Sequence, residues 1–298
     1  MKSGFVSILG RPNVGKSTLL NGILNKKISI VTDKSQTTRN AIKGIYNAEG
    51  VQIVFTDTPG IHKPREKLGE EMNNMAYSAA HDVDVNILVV DASEPFGPGD
   101  EYILNHLDIN NAPLIIVFNK IDQARLDKVL KIKEIYKEKA PKALFIDTVA
   151  KERFNVDTLL EEIIKLLPEG PAYYSTEEIT DKDIIFQIKE IIREKVLRNL
   201  RDEVPHATAI YMEDIDWDAN PIHIKAAIIV EKDGQKGIVI GAGGKRIKTI
   251  GSQARRDIED LLGKHVFLEL FVRVQEGWRD DDKSLETYGY KYKNKKWK

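Results

Sequence analysis

Short apolar runs alternate with amphipathic stretches along the first 167 residues. Residues 5–9, 51–56, 85–91, 114–119 and 143–146 read as strands. Between them, residues 16–24, 68–80, 99–106, 126–139 and 156–167 read as helices. In the last of these, Leu159, Leu160, Ile163, Ile164 and Leu167 form one apolar stripe. Residues 85–90 are nearly all apolar, as a strand covered on both faces requires. Strand–helix alternation predicts an α/β fold: a mostly parallel sheet with helices on both faces.

The rhythm breaks at Pro168. Residues 167–174 hold Pro168, Gly170 and Pro171 without periodicity, the composition of a linker. Beyond it the pattern predicts a long helix over 184–200, strands over 207–212 and 222–231, and helices over 237–240 and 245–262 around a glycine turn. A last strand over 266–274 puts Val266, Leu268, Leu270, Val272 and Val274 on one face and Phe267, Glu269, Phe271 and Arg273 on the other. The expected division is a first domain over 1–167, a linker over 168–180 and a smaller α+β domain over 181–298.

Composition narrows the function classes. A length of 298 residues suits about two domains. Lys+Arg is 45 and Asp+Glu is 46, so a globally basic nucleic-acid binder is excluded and any such site must be a local patch. The chain has no cysteine, which excludes disulfides, thiolate zinc sites and a cysteine nucleophile. Its apolar runs fall far short of the ~20 residues of a membrane helix. The run before Gly10 is too short for a signal peptide, so a cytoplasmic protein is expected.

Candidate chemistry concentrates at predicted strand ends. Gly10-Arg11-Pro12-Asn13-Val14-Gly15-Lys16-Ser17 matches G-x-x-x-x-G-K-[ST] between a predicted strand and a predicted helix. Glycines let backbone N–H groups converge on phosphate oxygens, and the helix adds its positive end. Gly10, Asn13, Val14, Gly15, Lys16, Ser17 and Thr18 are the expected phosphate-loop contacts. Lys16 can reach the β- and γ-phosphates, and the Ser17 hydroxyl can ligate Mg²⁺. Asp57-Thr58-Pro59-Gly60 closes the strand over 51–56. Asp57 can hold Mg²⁺ through a water, and Gly60 can offer its N–H to a γ-phosphate.

Asn119-Lys120-Ile121-Asp122 follows the strand over 114–118. The Asp122 carboxylate can accept from guanine N1–H and N2–H₂, whereas adenine would leave the charge unpaired. The selectivity for guanine is then on the order of a thousandfold or more. Lys120 can lie along the base and tie back to the phosphate loop. In this order and on these strand ends, the motifs resemble the small GTPase-like P-loop family. The resemblance implies a switch loop around Ser35-Gln36-Thr37-Thr38-Arg39-Asn40 with a threonine for Mg²⁺ and the γ-phosphate. Thr38 is chosen, with Thr37 its rival. It also implies a guanine loop at Thr148-Val149-Ala150-Lys151, with the Ala150 N–H toward guanine O6 and Val149 where a serine is usual.

Many relatives place a water-orienting glutamine after Asp57-Thr58-Pro59-Gly60; here Ile61 follows, which cannot polarise water. Slow hydrolysis must lean on Lys16, Mg²⁺ and backbone donors. The pattern is similar to GTPases in which a phosphate-loop asparagine helps bind potassium. Asn13 holds that position, and either joins such a site or stabilises the turn by an Asx hydrogen bond. The expected catalytic set is Lys16, Asn13, Thr38 and Gly60, and the expected metal set Ser17, Thr38 and Asp57.

In the second part, Gly241-Ala242-Gly243-Gly244 lies between predicted helices, followed by Lys245, Arg246 and Lys248, then Arg255 and Arg256. A glycine turn lets backbone approach a single strand while basic groups meet phosphates. On the helix from Lys245, Ile247, Ile250 and Ala254 can face the core while Lys248 and Arg255 face out. The αββααβ order resembles a type II KH RNA-binding domain, with Gly241, Gly244, Lys245, Arg246 and Lys248 as RNA contacts. Ala242 stands where a lysine is common. The tail adds five lysines from Lys291 to Lys298 among Tyr290, Tyr292 and Trp297, suited to RNA, an anionic membrane surface or a solvated end.

With Trp278-Arg279-Asp280-Asp281 and residues 285–290, the whole chain resembles the Era family of bacterial ribosome-assembly GTPases. The resemblance implies a GTP/GDP switch that hydrolyses GTP, binds near the 3′ end of small-subunit ribosomal RNA and assists 30S subunit maturation. It further implies a monomer with peripheral association at the inner membrane face in some members. The alternative is a GTPase of another RNA-related task with a C-terminal docking module.

Overall fold

The structure is a computed structural model that describes residues 1–108 and 111–292, and the statements below concern those described residues. The first domain is a six-stranded sheet in the order β2-β3-β1-β4-β5-β6. Its strands are β1 (Lys2–Leu9), β2 (Ile42–Ala48), β3 (Val51–Asp57), β4 (Val85–Asp91), β5 (Leu114–Asn119) and β6 (Leu144–Asp147). All neighbours are parallel except β2 and β3, which pair antiparallel from Ile42↔Asp57 to Ala48↔Val51. The helices between them are α1 (Lys16–Leu24), α2 (Lys67–His81), α3 (Pro98–His106), α4 (Leu126–Lys139) and α5 (Val156–Leu166).

Both sheet faces are covered, which is why β4 and β5 carry almost no polar side chains. Leu19, Leu20 and Ile23 of α1 and Leu159, Leu160 and Ile163 of α5 share one core with Val6, Ile8, Ile87 and Val117. Residues of α2, α3 and α4, among them Ala76, Ile103 and Ile132, pack with Leu9, Leu88, Ile116 and Phe118 on the other face. The apolar patterns of α1, α4, β4 and β5 thus locate those elements to the residue. β2 escapes the sequence pattern because Gly44 interrupts it; a Cβ there would press on Leu20 and Leu24 of α1.

The second domain runs α6 (Ile184–Asn199), β7 (Ala209–Asp216), β8 (Ile222–Val230), α7 (Asp233–Ile240), α8 (Lys245–Leu262) and β9 (Val266–Val274). This is the αββααβ order. β7 pairs antiparallel and β9 parallel with β8. Ile188, Ile192 and Val196 of α6 and Ile250, Ala254 and Ile258 of α8 bury one sheet face. The other face is covered by Trp278, Tyr290 and the short helix α9 (Asp282–Tyr288), which the apolar pattern does not announce, together with Leu68 and Met72 of α2. A first-domain helix therefore completes a second-domain core.

The connecting segment is pinned to the first sheet. Ile45 N–H donates to the Ile179 carbonyl at 3.0 Å, and Gln52 Oε1 accepts from Tyr173 N at 2.6 Å and Tyr174 N at 3.0 Å. The linker expected over 168–180 therefore runs along edge strand β2, satisfying backbone groups that an open edge would leave exposed. Lys293 to Lys298 of the basic tail lie outside the described residues.

Candidate functional site

The C-terminal ends of β1, β3, β5 and β6 deliver four loops to one rim of the sheet, where the strand order reverses about β1. Residues 10–15 join β1 to α1. Gly10 (φ 145°) and Gly15 (φ 104°) take backbone conformations that side chains disfavour. A Cβ on Gly15 would collide with the Asn119 amide. Asn13 also has positive φ, at 64°, a conformation asparagine tolerates.

Lys16 is buried and donates to the carbonyls of Gly10 at 3.1 Å and Arg11 at 2.8 Å. Burial pulls its ammonium down to about 8, partly offset by Asp57. Ser17 Oγ donates to Asp57 Oδ2 at 2.6 Å and lies 2.8 Å from Thr38 Oγ1. Thr38 Oγ1 is itself 3.5 Å from Asp57 Oδ2. Desolvation raises the Asp57 carboxyl above its ordinary range, against the lowering effect of Ser17 and Lys16. Its Oδ1 is buried without a hydrogen-bond partner. Two hydroxyls converging on one carboxylate oxygen, Asp57 Oδ2, are the hard donor set that suits Mg²⁺, which takes few protein ligands beside phosphate and water. Among the described residues no cluster of three or more His, Cys, Asp or Glu side chains offers a different metal site.

The structure separates the two threonines. Thr38 joins Ser17 and Asp57, while Thr37 Oγ1 donates to the Lys34 carbonyl at 2.6 Å and lies 2.7 Å from Thr32 Oγ1. Gly60 lies over the phosphate loop: a Cβ would come within 2.7 Å of Pro12 Cα. Its carbonyl meets His62 Nδ1 at 3.0 Å, and the next N–H, of Ile61, donates to Gly10 O at 3.1 Å. The Ile61 side chain is buried with Leu9 and Ala76, so it leaves the site altogether. A cavity of about 380 Å³ remains among Asn13, Lys16, Thr18, Thr38, Gly60 and Lys120.

The base end is built around Asn119. Its Nδ2 donates to the Val14 carbonyl at 2.8 Å, and its Oδ1 accepts from Thr148 Oγ1 at 3.2 Å and Ala150 N at 2.9 Å. The Ala150 N–H expected at guanine O6 is thus donated to Asn119 in this structure, and a base contact needs it shared or released. Lys120 (φ 61°) ties back to the Asn13 carbonyl at 2.8 Å, as expected, and pairs with Asp91 Oδ2 at 2.6 Å. Asp91, at the end of β4, is a supporting residue that sequence reasoning missed. The signal was a carboxylate at a parallel-strand terminus. Asp122 follows in an exposed 3₁₀ turn, Ile121–Gln123. The Asn13 amide donates to the Asp33 carbonyl at 3.1 Å. That bond ties the phosphate loop to the switch loop.

In the second domain, Gly241, Gly243 and Gly244 turn the chain from α7 into α8 with φ of 72°, 57° and 73°. A Cβ on Gly241 would press on Arg246. Lys245 and Lys248 are exposed, whereas Arg246 also donates to the Ile238 carbonyl at the end of α7. Beside the turn, Ile247, Gly251, Leu268 and Leu270 line a groove of about 450 Å³ together with Lys248 and Arg255. Ile250 and Ala254 are buried and Ile247 partly so, as the helical pattern predicts.

Two family models match the chain: a 50S ribosome-binding GTPase over residues 5–120 and a KH domain over residues 203–279. The chain is 48% identical over 296 residues to a GTPase Era of Leuconostoc citreum, covering 98% of each. It is also 48% identical over 293 residues to the GTPase Era of Lacticaseibacillus paracasei, again covering 98% of each. In structure it is similar to Era crystallised with MgGDPNP and nucleotides 1506–1542 of 16S ribosomal RNA, at TM-score 0.93 and 39% identity, over 98% of this chain and all of that one. A tyrosine-to-alanine variant of Aquifex aeolicus Era bound to GDP and AlF₄⁻ matches equally well, at TM-score 0.93.

Proposed function

The chain belongs to the Era family of GTPases, and from that premise we propose that it is a GTP-hydrolysing switch that grips the 3′ end region of small-subunit ribosomal RNA during 30S subunit maturation. What carries the reading is a single correspondence. A chain in which Ser17, Thr38 and Asp57 oxygens converge beside Lys16 aligns end to end with a protein crystallised on MgGDPNP and 16S nucleotides. One family model's description refers to the large subunit, but it matches residues 5–120 alone; the full-length likeness favours the small subunit.

The roles follow from the chemistry of the groups. Residues 10–18 hold the phosphates through backbone N–H groups, and Lys16 leaves the Gly10 and Arg11 carbonyls for phosphate oxygens. Ser17 and Thr38 would give hydroxyl oxygens to Mg²⁺, and Asp57 would hold one of its waters through Oδ2, the oxygen that faces both hydroxyls. Bound Mg²⁺ supplies neutralisation of the charge that develops on the transferred phosphoryl oxygens. Gly60 aims its N–H at the γ-phosphate. Asp122 selects guanine, Asn119 and Lys120 brace the pocket, and the Ala150 N–H turns toward O6. Asn13 donates through Nδ2 to Asp33, which leaves Oδ1 as its acceptor end for a potassium ion. With Ile61 in the core, no side chain at that position orients the attacking water, so intrinsic turnover is slow.

The second domain lays single-stranded RNA along the Gly241–Gly244 turn and the adjoining groove, with Lys245, Arg246 and Lys248 at the phosphates. Residues 1–167, 168–180 and 181–298 serve as GTPase domain, linker and RNA-binding domain. The protein works as a cytoplasmic monomer with peripheral contact to the inner membrane face. Crosslinking in cells followed by sequencing of the attached RNA tests the proposal. A peak at the 3′ end of the small-subunit RNA is expected, and its absence refutes the assignment.

A further inference from the structure

Thr38 sits between two residues that are both tied to the second domain. The Thr37 carbonyl accepts from Arg193 Nη2, which reaches across from α6. The Arg39 guanidinium is sunk in the second domain, where it donates to the Thr208 carbonyl at 2.5 Å and the His206 carbonyl at 2.9 Å. The rings of Trp278 and Tyr290 flank it at 5.9 and 5.5 Å. Arg39 and Arg193 are each 1% exposed, so neither is an ordinary surface contact. Glu190 aims Arg193 by accepting from Nε at 2.8 Å and Nη2 at 2.6 Å. Two further ties bracket the loop: Arg198 Nη2 donates to the Val31 carbonyl at 3.1 Å, and Ser35 Oγ meets His206 Nε2 at 3.3 Å.

We propose that Arg39 and Arg193 are positioning residues through which the second domain holds Thr38 at the nucleotide site. The proposal rests on the reading of Thr38 as a Mg²⁺ and γ-phosphate ligand. A loop of this length loses conformational entropy when it closes on a nucleotide. Ties at Val31, Ser35, Thr37 and Arg39 remove most of that freedom beforehand, so GTP binding has less ordering left to do. The joint is built to come apart as well. Arg39 Nε and Arg193 Nη1 are buried without partners, donors that separation of the domains would return to water. The coupling is reciprocal: a ligand that pulls on the second domain changes the preference for GTP over GDP, because GDP offers Thr38 no γ-phosphate.

The test uses the full chain with Mg²⁺ and compares affinities for GDP and a non-hydrolysable GTP analogue. Arg39→Lys and Arg193→Lys keep the charge but lose the planar fork that spans two acceptors. Each is expected to weaken the GTP analogue about tenfold while GDP stays within about twofold. Thr38→Ala is expected to show the same selective loss, and Arg39→Lys added to Thr38→Ala no further one. Should a lysine variant fail to fold, Glu190→Gln weakens the pair that aims Arg193 without touching the nucleotide site, and is expected to shift the ratio about threefold in the same sense. An unchanged ratio, an equal loss for both nucleotides, or full additivity with Thr38→Ala overturns the proposal. Thr38→Ala with an unchanged ratio overturns the metal-ligand reading beneath it, which separates the two failures.

Discussion

Replacing Asn119 by alanine probes how the nucleotide site is held together. Asn119 is 3% exposed and joins three segments that are far apart in sequence: the phosphate loop at Val14, β5, and the guanine loop at Thr148 and Ala150. Asn119→Ala leaves the Val14 carbonyl, the Ala150 N–H and the Thr148 hydroxyl short of a partner. Each lost hydrogen bond costs about 1 kcal/mol net, and the Ala150 N–H passes to guanine O6 when the base is seated, so the Val14 and Thr148 bonds set an expected loss of about 2 kcal/mol in binding. At about 1.4 kcal/mol per tenfold, affinity for guanine nucleotides falls roughly thirtyfold. GDP and GTP are affected alike, since none of the three bonds reaches the switch loop. Titration with a fluorescent GDP derivative reads the affinity, and urea denaturation of the nucleotide-free protein reads the stability. Asn119→Asp separates the two ends of the side chain. It keeps an acceptor for Ala150 and Thr148 but sets a carboxylate oxygen against the Val14 carbonyl. A dissociation constant for Asn119→Ala within about threefold of wild type, with an unchanged denaturation midpoint, would refute the reasoning.

Lys16 gives a pH dependence with a definite sign. Its folded value is lowered from 10.5 to about 8, so between those values the unfolded chain holds more protons and stability of the nucleotide-free protein rises with pH. The rise amounts to about 3 kcal/mol at most; Lys16→Met should abolish it in denaturation series at pH 7.5 to 10. The role given to Asn13 predicts faster GTP turnover in potassium than in sodium buffer, lost in Asn13→Ala; equal wild-type rates would end it. Lys245→Ala and Lys248→Ala should each weaken RNA binding and reduce the salt slope of log K by about 1 without changing nucleotide affinity, as read by filter binding across a salt series.

The parts of this molecule legible in its sequence are those whose cause is local. α1, α4, α8, β4, β5 and β9 follow from periodicity, and residues 10–17, 57–60 and 119–122 from contiguous motifs. β2 was hidden because Gly44 replaces an apolar position where α1 packs closely. The preference for Thr38 over Thr37 has no local basis in two adjacent identical residues. The structure sets them apart through distant partners, Ser17 and Asp57 for Thr38 and the Lys34 carbonyl for Thr37. The donation of Ala150 N–H to Asn119 and the pairing of Asp91 with Lys120 likewise join residues about 30 positions apart. The linker reads as loose from its prolines and glycine, yet Gln52 and Ile45 pin it. Arg39 and Arg193 carry no local signature at all: each looks like an ordinary charged residue until the domains meet.

The central claim is that the nucleotide seated in the first domain governs the grip of the second on RNA. The most direct measurement is the affinity of the full chain for a 16S 3′-end RNA fragment, at one salt concentration, with Mg²⁺ and either GDP or a non-hydrolysable GTP analogue. Binding about tenfold tighter with the GTP analogue is expected, a coupling of ordinary size. The RNA is expected to raise affinity for the analogue over GDP by the same factor. Identical RNA affinity in the two nucleotide states would contradict it.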